Sequence, residues 1–247
     1  MTGRSAWNVR GVGGTLDYGP DSRTRPGPYY MLATANSTRV GSTGWEDPDP
    51  NYRAVHGAVR VYQAALNREI EAGILIDGVF GPKTQKAVTA WQKTQPSEHE
   101  ISVWGGIGQS SSKWLLMPLL KAMVPGDLQN AVCGLVTQES SWDAGAVGFV
   151  DEDDLGLVQI NGPANPDFDE KERLRAKVAF EYAANILDTR REDFGNLRDA
   201  VASYNLGAGG CRAWIAAGRP DLWTPSASAT PRNVRKYIDT ILNVCAQ

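Results

Sequence analysis

Residues 127–161 read DLQNAVCGLVTQESSWDAGAVGFVDEDDLGLVQIN, and they combine a helical pattern with a cluster of acids. Apolar residues recur here at intervals of three and four, which predicts a helix; they are Leu128, Ala131, Val132, Leu135 and Val136. Asp127 suits the N-cap of this helix. Glu139 continues the spacing four residues after Leu135, so helical geometry places its carboxylate on the face that carries the apolar stripe.

A carboxylate on a core-facing stripe is partly removed from water. Desolvation disfavours the charged form, so we expect the pKa of Glu139 to be raised. A carboxylic acid that keeps its proton near neutral pH suits glycosidic cleavage, because the leaving oxygen must be protonated. In the alternative interpretation the helix ends at residue 138 and Glu139 turns out to solvent.

The 247 residues are enough for two modest domains, and 42% of them are hydrophobic. Residues 1–124 carry 13 Lys/Arg and 10 Asp/Glu, whereas residues 125–247 carry 12 and 18, so the halves differ in charge. Val124-Pro125-Gly126 interrupts the helical patterns. We therefore predict an irregular arm rich in Gly, Pro, Ser and Thr over 1–50, a first domain over 51–122 and a second over 123–247.

Composition excludes several functional classes. Two histidines are too few for most zinc hydrolases, and they lie far in sequence from the other candidate residues. The three cysteines have no metal-ligand spacing, so no metal or other cofactor is expected. Cys245 extends the apolar stripe of a C-terminal helix that includes Tyr237 and Ile238, and a Cys211–Cys245 disulfide stays open.

Nucleic acid and membrane partners are not expected either. The chain has no strongly basic cluster, and no run reaches the ~18 apolar residues of a membrane span. The N-terminal stretch MTGRSAWNVRGVGG lacks the apolar segment of a signal peptide. These features predict a soluble product that is made in the cytoplasm and leaves it by another route.

An internal repeat lies between residues 52 and 120. IDGVFGPKT (76–84) and VWGGIGQSS (103–111) both read as an apolar residue, a tight glycine turn, an apolar residue, a glycine and a helix start. Apolar residues at helical spacing precede the first copy and follow both copies. Gly78 and Gly81 have a simple structural explanation, since both permit tight turns.

The first copy, DGVFGPKTQKAVTAWQ (77–92), together with Gln63 and Leu66, resembles the peptidoglycan-binding domain 1 family. The family is a small three-helix wall-binding module built from two such halves, and the resemblance covers roughly residues 52–120. It implies wall contacts in the first turn, through Asp77, Gly78, Phe80 and Gly81. Trp104 stands where Asp77 would repeat, which puts ligand contact by the second copy in doubt.

The second half of the chain is predicted to be mainly helical. A long charged helix is expected over 168–190, and shorter helices over 196–204, 209–216 and 231–245. No alternating β pattern of any length competes with them. The fold class is therefore mainly α.

Three short motifs follow in order: ESSW from Glu139, GLVQIN from Gly156, and ASYNLG from Ala202. Together they resemble the soluble lytic transglycosylase and goose-type lysozyme family, over about residues 115–247. The resemblance implies a lysozyme-like α fold in which Glu139 is the general acid and base. Further residues are implied to hold the substrate or the adjoining loops, and they are Ser140, Gln159, Asn161 and Asn205. Tyr204 would place its hydroxyl near the reacting carboxyl.

For Gln159 and Asn205 a purely structural role, tying loop backbone, is the alternative. Trp142, which follows the acid, is expected in the core.

The acidic run from Asp151 to Asp154 departs from the family pattern and leaves two mechanisms open. A transglycosylase needs one catalytic carboxyl and forms a 1,6-anhydro product without water. An inverting hydrolase needs a second carboxylate about 6.5–9.5 Å from the first to activate water, and Asp151 or Asp154 are the candidates. The alternative is that the run is a solvated loop.

The sequence thus predicts a two-domain enzyme that binds and cleaves bacterial peptidoglycan between N-acetylmuramic acid and N-acetylglucosamine. A wall-cleaving architecture without a signal peptide favours a phage endolysin or a tail-associated lysin, with phage tail or particle components as further partners. The alternative from another class is a non-catalytic wall-binding or particle-structural protein that retains the fold.

Overall fold

The computed structural model describes residues 50–148, 153–224 and 231–245, and within these ranges the chain is mainly helical. The predicted fold class is therefore confirmed. The arm predicted over 1–50, apart from Pro50, and the candidate acid Asp151 lie outside the described residues. Across the described ranges, no helix is both long enough and apolar enough to cross a membrane.

The chain divides into two compact units that alternate along the sequence. Among the described residues, the first unit comprises those of 1–118 and 140–176, and the second comprises those of 119–139 and 177–247. The functional modules predicted over 51–122 and 123–247 stay predictions. The units show that residues 140–176 group with the N-terminal helices rather than with the remainder of the second half.

The first unit begins with α1 (Pro50–Ile70) and α2 (Pro82–Thr94), followed by a 3-10 turn at Ser97–His99. The next helix, α3 (Gln109–Met123), contributes its residues up to 118. Pro82 occupies the first turn of α2, where its missing N–H is not needed. The largest fully buried side chains of this unit are apolar or aromatic: Tyr62, Leu66, Ile107, Leu115, Leu116, Trp142 and Leu157. The expected burial of Trp142 is confirmed.

Residues 140–176 add a small hairpin and one short helix to this unit. Strand β1 (Asp154–Leu155) pairs antiparallel with β2 (Ile160–Asn161), and Asp154 faces Asn161. The following α5 (Glu170–Arg173) starts with a capping box between Asp169 and Glu172. The long helix predicted over 168–190 is therefore wrong in one respect, because it is interrupted at residues 174–175.

The second unit contains α4 (Gln129–Ser140) up to Glu139, α6 (Ala176–Phe194), α7 (Leu197–Ala216) and α8 (Val234–Asn243). A short ladder joins β3 (Leu222–Trp223) to β4 (Arg232–Asn233). Because β4 occupies the two residues before α8, that helix is shorter than the predicted 231–245. Gly207, whose φ of 68° and ψ of 164° are not helical, divides α7 into two helical segments, which agrees with the helices predicted over 196–204 and 209–216.

The start of α4 also differs from the prediction. A turn over residues 125–128 precedes the helix, with the amide of Leu128 donating to the carbonyl of Pro125. The helix begins at Gln129, so Asp127 is not its N-cap. Asp127 instead pairs with Arg191 of α6 at 2.5 Å, and this contact lowers the pKa of Asp127.

A disulfide joins Cys133 of α4 to Cys245 just after α8. The Cys211–Cys245 bridge that the sequence left open is therefore not formed, and Cys211 is a buried free thiol. The two helices approach closely, since a Cβ on Gly134 would lie 1.9 Å from the carbonyl oxygen of Ile241. Only glycine leaves room for this approach.

Candidate active site

Glu139 is the penultimate residue of α4 and is half-buried. The hydroxyl of Tyr237 on α8 donates a hydrogen bond of 2.6 Å to its Oε1. Burial, and then the negative charge of Glu139, raise the pKa of Tyr237 well above its ordinary value. Tyr237 therefore keeps its proton at physiological pH and remains a hydrogen-bond donor to the carboxylate.

The contact between Glu139 and Tyr237 depends on how α4 and α8 are joined. Cys133 lies six residues before Glu139 on α4, and Cys245 lies eight residues after Tyr237 at the end of α8. The disulfide and the close approach at Gly134 thus hold together the two helices that carry the pair. The sequence pattern placed Tyr237 in the apolar stripe of the last helix and did not reveal this contact. The one signal for it was a hydroxyl within an otherwise apolar stripe.

The Tyr204–Asn205 motif lies on α7 just before the Gly207 kink. The Nη1 of Arg232 donates to the backbone oxygen of Asn205 at 2.6 Å and to its Oδ1 at 3.1 Å. Burial dominates the raised pKa of Tyr237, whereas the positive charge of Arg232 acts on the Tyr237 hydroxyl in the opposite direction. Arg232 is a second residue that the sequence did not reveal, because no local pattern relates it to Asn205.

The remaining predicted site residues belong to the first unit and bond to their own loop. The Nε2 of Gln159 donates to the carbonyls of Ala146 and Gly156, at 3.2 and 3.0 Å. Gln159 itself has a φ of 53°, so the turn is held against some strain. These bonds favour the structural role for Gln159.

Asn161 and Asp154 are also engaged with each other. The Nδ2 of Asn161 donates to Oδ1 of Asp154 at 2.9 Å, and its Oδ1 accepts from the amide of Ala164. Both side chains are half-buried. Ser140 is buried at the end of α4. Their substrate contacts stay predictions.

Asp143 is a buried acid that the sequence patterns did not single out. Its Oδ1 accepts from the amide of Gly145 at 2.8 Å, and its Oδ2 has no hydrogen-bond partner among the described residues. Burial raises the pKa of Asp143 to about 7. It is consequently the more desolvated of two acids that lie four residues apart, whereas Glu139 retains access to solvent and a hydroxyl donor.

The wall-binding candidates occupy the first turn of the repeat, residues 76–81. Oδ1 of Asp77 accepts from Nε2 of Gln63 and from the amide of Val79, at 2.8 and 2.9 Å. Gly78 has a φ of 81°, and a Cβ there would lie 2.3 Å from the ring of His56, so glycine is required. Phe80 is buried.

Gly81 differs from the expectation. Its φ is −92°, and apart from its neighbours in the chain no atom of the described residues lies within 4 Å of the position that a Cβ would take, so its conformation does not require glycine. The explanation of Gly81 by a tight turn is therefore wrong. Gly105, in the second turn over residues 103–108, has the same φ of 81° as Gly78.

Residues 121–220 match a family described as Transglycosylase SLT domain. Comparisons with curated proteins and with solved structures give no match. The matched region contains Glu139, the GLVQIN motif and the Tyr204–Asn205 motif, and it ends before Arg232 and Tyr237. Residues 121–220 thus match the transglycosylase SLT domain, and the chain is a peptidoglycan-cleaving enzyme of the lytic transglycosylase or lysozyme kind.

Proposed function

We propose that the chain is a lytic transglycosylase that cleaves the β-1,4 bond between N-acetylmuramic acid and N-acetylglucosamine and leaves a 1,6-anhydro product. The observation that carries this proposal is the half-buried Glu139 carboxyl at a helix end, hydrogen-bonded by Tyr237 inside the unit that also holds Tyr204. The pair supplies one carboxyl group and one permanent hydrogen-bond donor.

The chemistry needs only that one carboxyl group. Protonated Glu139 gives its proton to the glycosidic oxygen as the bond from that oxygen to C1 of the muramic acid breaks. The resulting carboxylate then takes the proton from the C6 hydroxyl, whose oxygen forms the new bond to C1. No water is consumed, and Glu139 ends the cycle protonated.

Tyr237 serves both steps from one side of the carboxyl group. Its hydrogen bond to Oε1 directs the reacting proton to the other oxygen, and it stabilises the carboxylate that exists between the steps. Because the raised pKa of Tyr237 keeps its proton in place, the tyrosine does not compete with Glu139 as a base.

The hydrolase alternative requires a second carboxylate that is able to activate water. Asp154 has one oxygen engaged by Asn161 across the β1–β2 hairpin, which supports a role in the loop rather than in catalysis. This contact favours the single-carboxylate route.

The test is the digestion of purified peptidoglycan followed by mass spectrometry of the products. We expect products lighter by one water than the hydrolysis products, and we expect Glu139→Gln to abolish their release without changing the thermal unfolding temperature. Muramic acid with a free reducing end would assign the chain to the hydrolases. A wild type that cleaves nothing, yet sediments with wall, would support the non-catalytic alternative.

We further propose that the module predicted over 51–122 binds the wall. Support comes from its two glycine turns, which expose apolar side chains to solvent: Leu75, Ile76, Val79, Val103 and Trp104. Trp104→Ala should then weaken co-sedimentation with wall, while Leu222→Ala, which alters an exposed apolar residue of the second unit, should not. A wall-binding module beside a transglycosylase domain suits a phage endolysin or a tail-associated lysin, which is the biological setting we propose.

A further inference from the structure

Arg232 presents an exposed positive charge that is anchored on Asn205 of the Tyr204–Asn205 motif. It is the first residue of β4, and its charge acts on the Tyr237 hydroxyl, five residues further along the chain. Its only hydrogen bonds to described residues are the two from Nη1 to Asn205. Within the described part of the chain, no carboxylate pairs with this guanidinium.

The other arginines of the second unit show how unusual this is. Five of them form ion pairs with Asp side chains, and they are Arg190, Arg191, Arg198, Arg219 and Arg235. A sixth, Arg212, lies over the ring of Phe194. Arg232 is set apart from these six because neither a carboxylate nor an aromatic ring is its partner among the described residues.

The two bonds to Asn205 also orient the guanidinium. Both use Nη1 and leave the edge formed by Nε and Nη2 without a partner among the described residues. That edge carries two parallel N–H donors, whose spacing matches the two oxygens of a carboxylate. The side chain is therefore held in place at one end and able to bind an anion at the other.

We propose that Arg232 is a substrate-positioning residue that binds a peptide carboxylate on the glycan strand next to the bond that Glu139 cleaves. This inference rests on the proposed function, because it identifies the reacting site with Glu139. Carboxylates on the peptide substituents are the anionic groups of a peptidoglycan strand. Arg232 consequently makes the enzyme prefer strands that carry peptides with free carboxylates over bare glycan.

The competing explanation is a structural role through Asn205. Since the kink at Gly207 interrupts the helix, the Asn205 carbonyl accepts from Arg232, and loss of that bond would disturb α7 whatever the substrate. A structural role predicts equal losses on every substrate, whereas carboxylate binding predicts a loss only where the carboxylate is present.

The experiment compares peptide-bearing glycan strands with the same strands after an amidase has removed the peptides. For Arg232→Gln we expect KM on peptide-bearing strands to rise roughly tenfold, as for the loss of a charge-assisted hydrogen bond, with kcat nearly unchanged. On stripped strands KM should not change. Arg232→Lys should restore part of the difference. Arg198→Gln, which removes another exposed arginine of the same unit, one that pairs with Asp239, is the matched control and should change neither KM.

Equal losses by Arg232→Gln on both substrates would overturn the carboxylate-binding role. Binding measured in the Glu139→Gln background separates this failure from a failure of the proposed function. If Glu139→Gln binds peptide-bearing strands more tightly than stripped ones, and the double variant with Arg232→Gln does not, the carboxylate site stands. It would stand even if wild-type digests contained no anhydro product.

Discussion

The two compact units use their polar side chains differently. In the first unit, buried and half-buried side chains bond mainly to backbone groups of turns. In the second unit, charged side chains pair mainly with one another. This difference separates groups that are needed for the fold from groups that remain available for chemistry.

The two halves of the repeat show the first pattern most clearly. Oε1 of Gln63 accepts from the amide of Gly78, and Oε1 of Gln92 accepts from the amide of Gly105. The Nε2 of Gln63 donates to Val79 O and Thr84 Oγ1, and that of Gln92 donates to the equivalent Gly106 O and Ser111 Oγ. Each buried glutamine thus replaces the backbone partners that its glycine turn lacks.

The second unit shows the other pattern. Glu139 pairs with Tyr237 at 2.6 Å, and Asp199 pairs with Arg219 at 2.7 Å. The hydrogen bond from Arg219 lowers the pKa of the buried Asp199 carboxyl and stabilises its charge, although burial acts in the opposite direction. Glu139, in contrast, is half-buried and accepts a hydrogen bond from the neutral hydroxyl of Tyr237 rather than from a cation.

The largest expected effect comes from removing the disulfide. All three cysteines belong to the second unit, so the effect is expected in that unit. Replacing Cys133 and Cys245 by alanine should lower the free energy of unfolding by about 3–5 kcal/mol, since the bridge closes a long loop. Denaturant titration with and without reductant measures this. The Cys211→Ala variant is the control and should keep its sensitivity to reductant. Identical unfolding midpoints in both conditions would show that the bridge does not support this unit.

Replacing the repeat glutamines tests the first pattern directly. Gln63→Leu and Gln92→Leu should each lower the free energy of unfolding by about 1–3 kcal/mol, because buried turn amides lose their partners. The two losses should be similar, and kcat should not change. Gln85→Leu, on the exposed face of α2, is the control and should stay within about 0.5 kcal/mol of wild type. A fall in kcat at unchanged stability would contradict the assignment of these glutamines to the fold rather than to catalysis.

The buried acid of the first unit predicts a pH dependence. Asp143 titrates near pH 7 in the folded chain and near its ordinary 3.8 when unfolded, so the folded state prefers the protonated form. Its contribution to stability is present below about pH 4 and is lost as the pH rises through about 7. Asp143→Asn keeps the bond to Gly145 and removes this loss.

We therefore expect Asp143→Asn to match wild type at pH 4 and to exceed its stability by about 1–3 kcal/mol at pH 8. Thermal unfolding of both proteins across this range measures the difference, and Asp193→Asn, at an exposed position of α6, serves as the control. A difference that stays constant with pH would mean that Asp143 is ionised throughout.

The smallest effect comes from removing one hydroxyl in each unit. Tyr237→Phe should lower kcat roughly tenfold, about 1.4 kcal/mol, and leave the unfolding temperature nearly unchanged. Tyr62→Phe should instead lower stability and leave kcat unchanged, because its buried hydroxyl accepts from the amide of Ala144 and from Ser112. Digestion rates and thermal melts of the two variants measure both quantities. The opposite assignment, with Tyr62 affecting kcat and Tyr237 only stability, would reverse the comparison.

Several features of the fold were predictable from local patterns. The 3.6-residue spacing located most of the helices, and the glycine turns of the repeat were recognisable from short motifs because their conformation is decided by neighbouring residues. Local spacing was less reliable at the ends of elements. It missed the break at residues 174–175, although it separated the two segments of α7 at the Gly207 kink.

By itself, the sequence determined the helical class, the repeat and the order of the motifs around Glu139. Only the tertiary structure decided which distant groups meet. Tyr237 bonds Glu139 across 98 residues, and Cys133 bonds Cys245 across 112. The physical reason is that helical periodicity depends on residues within a few turns. The pairing of α4 with α8, in contrast, depends on whether a glycine at position 134 allows two backbones to touch.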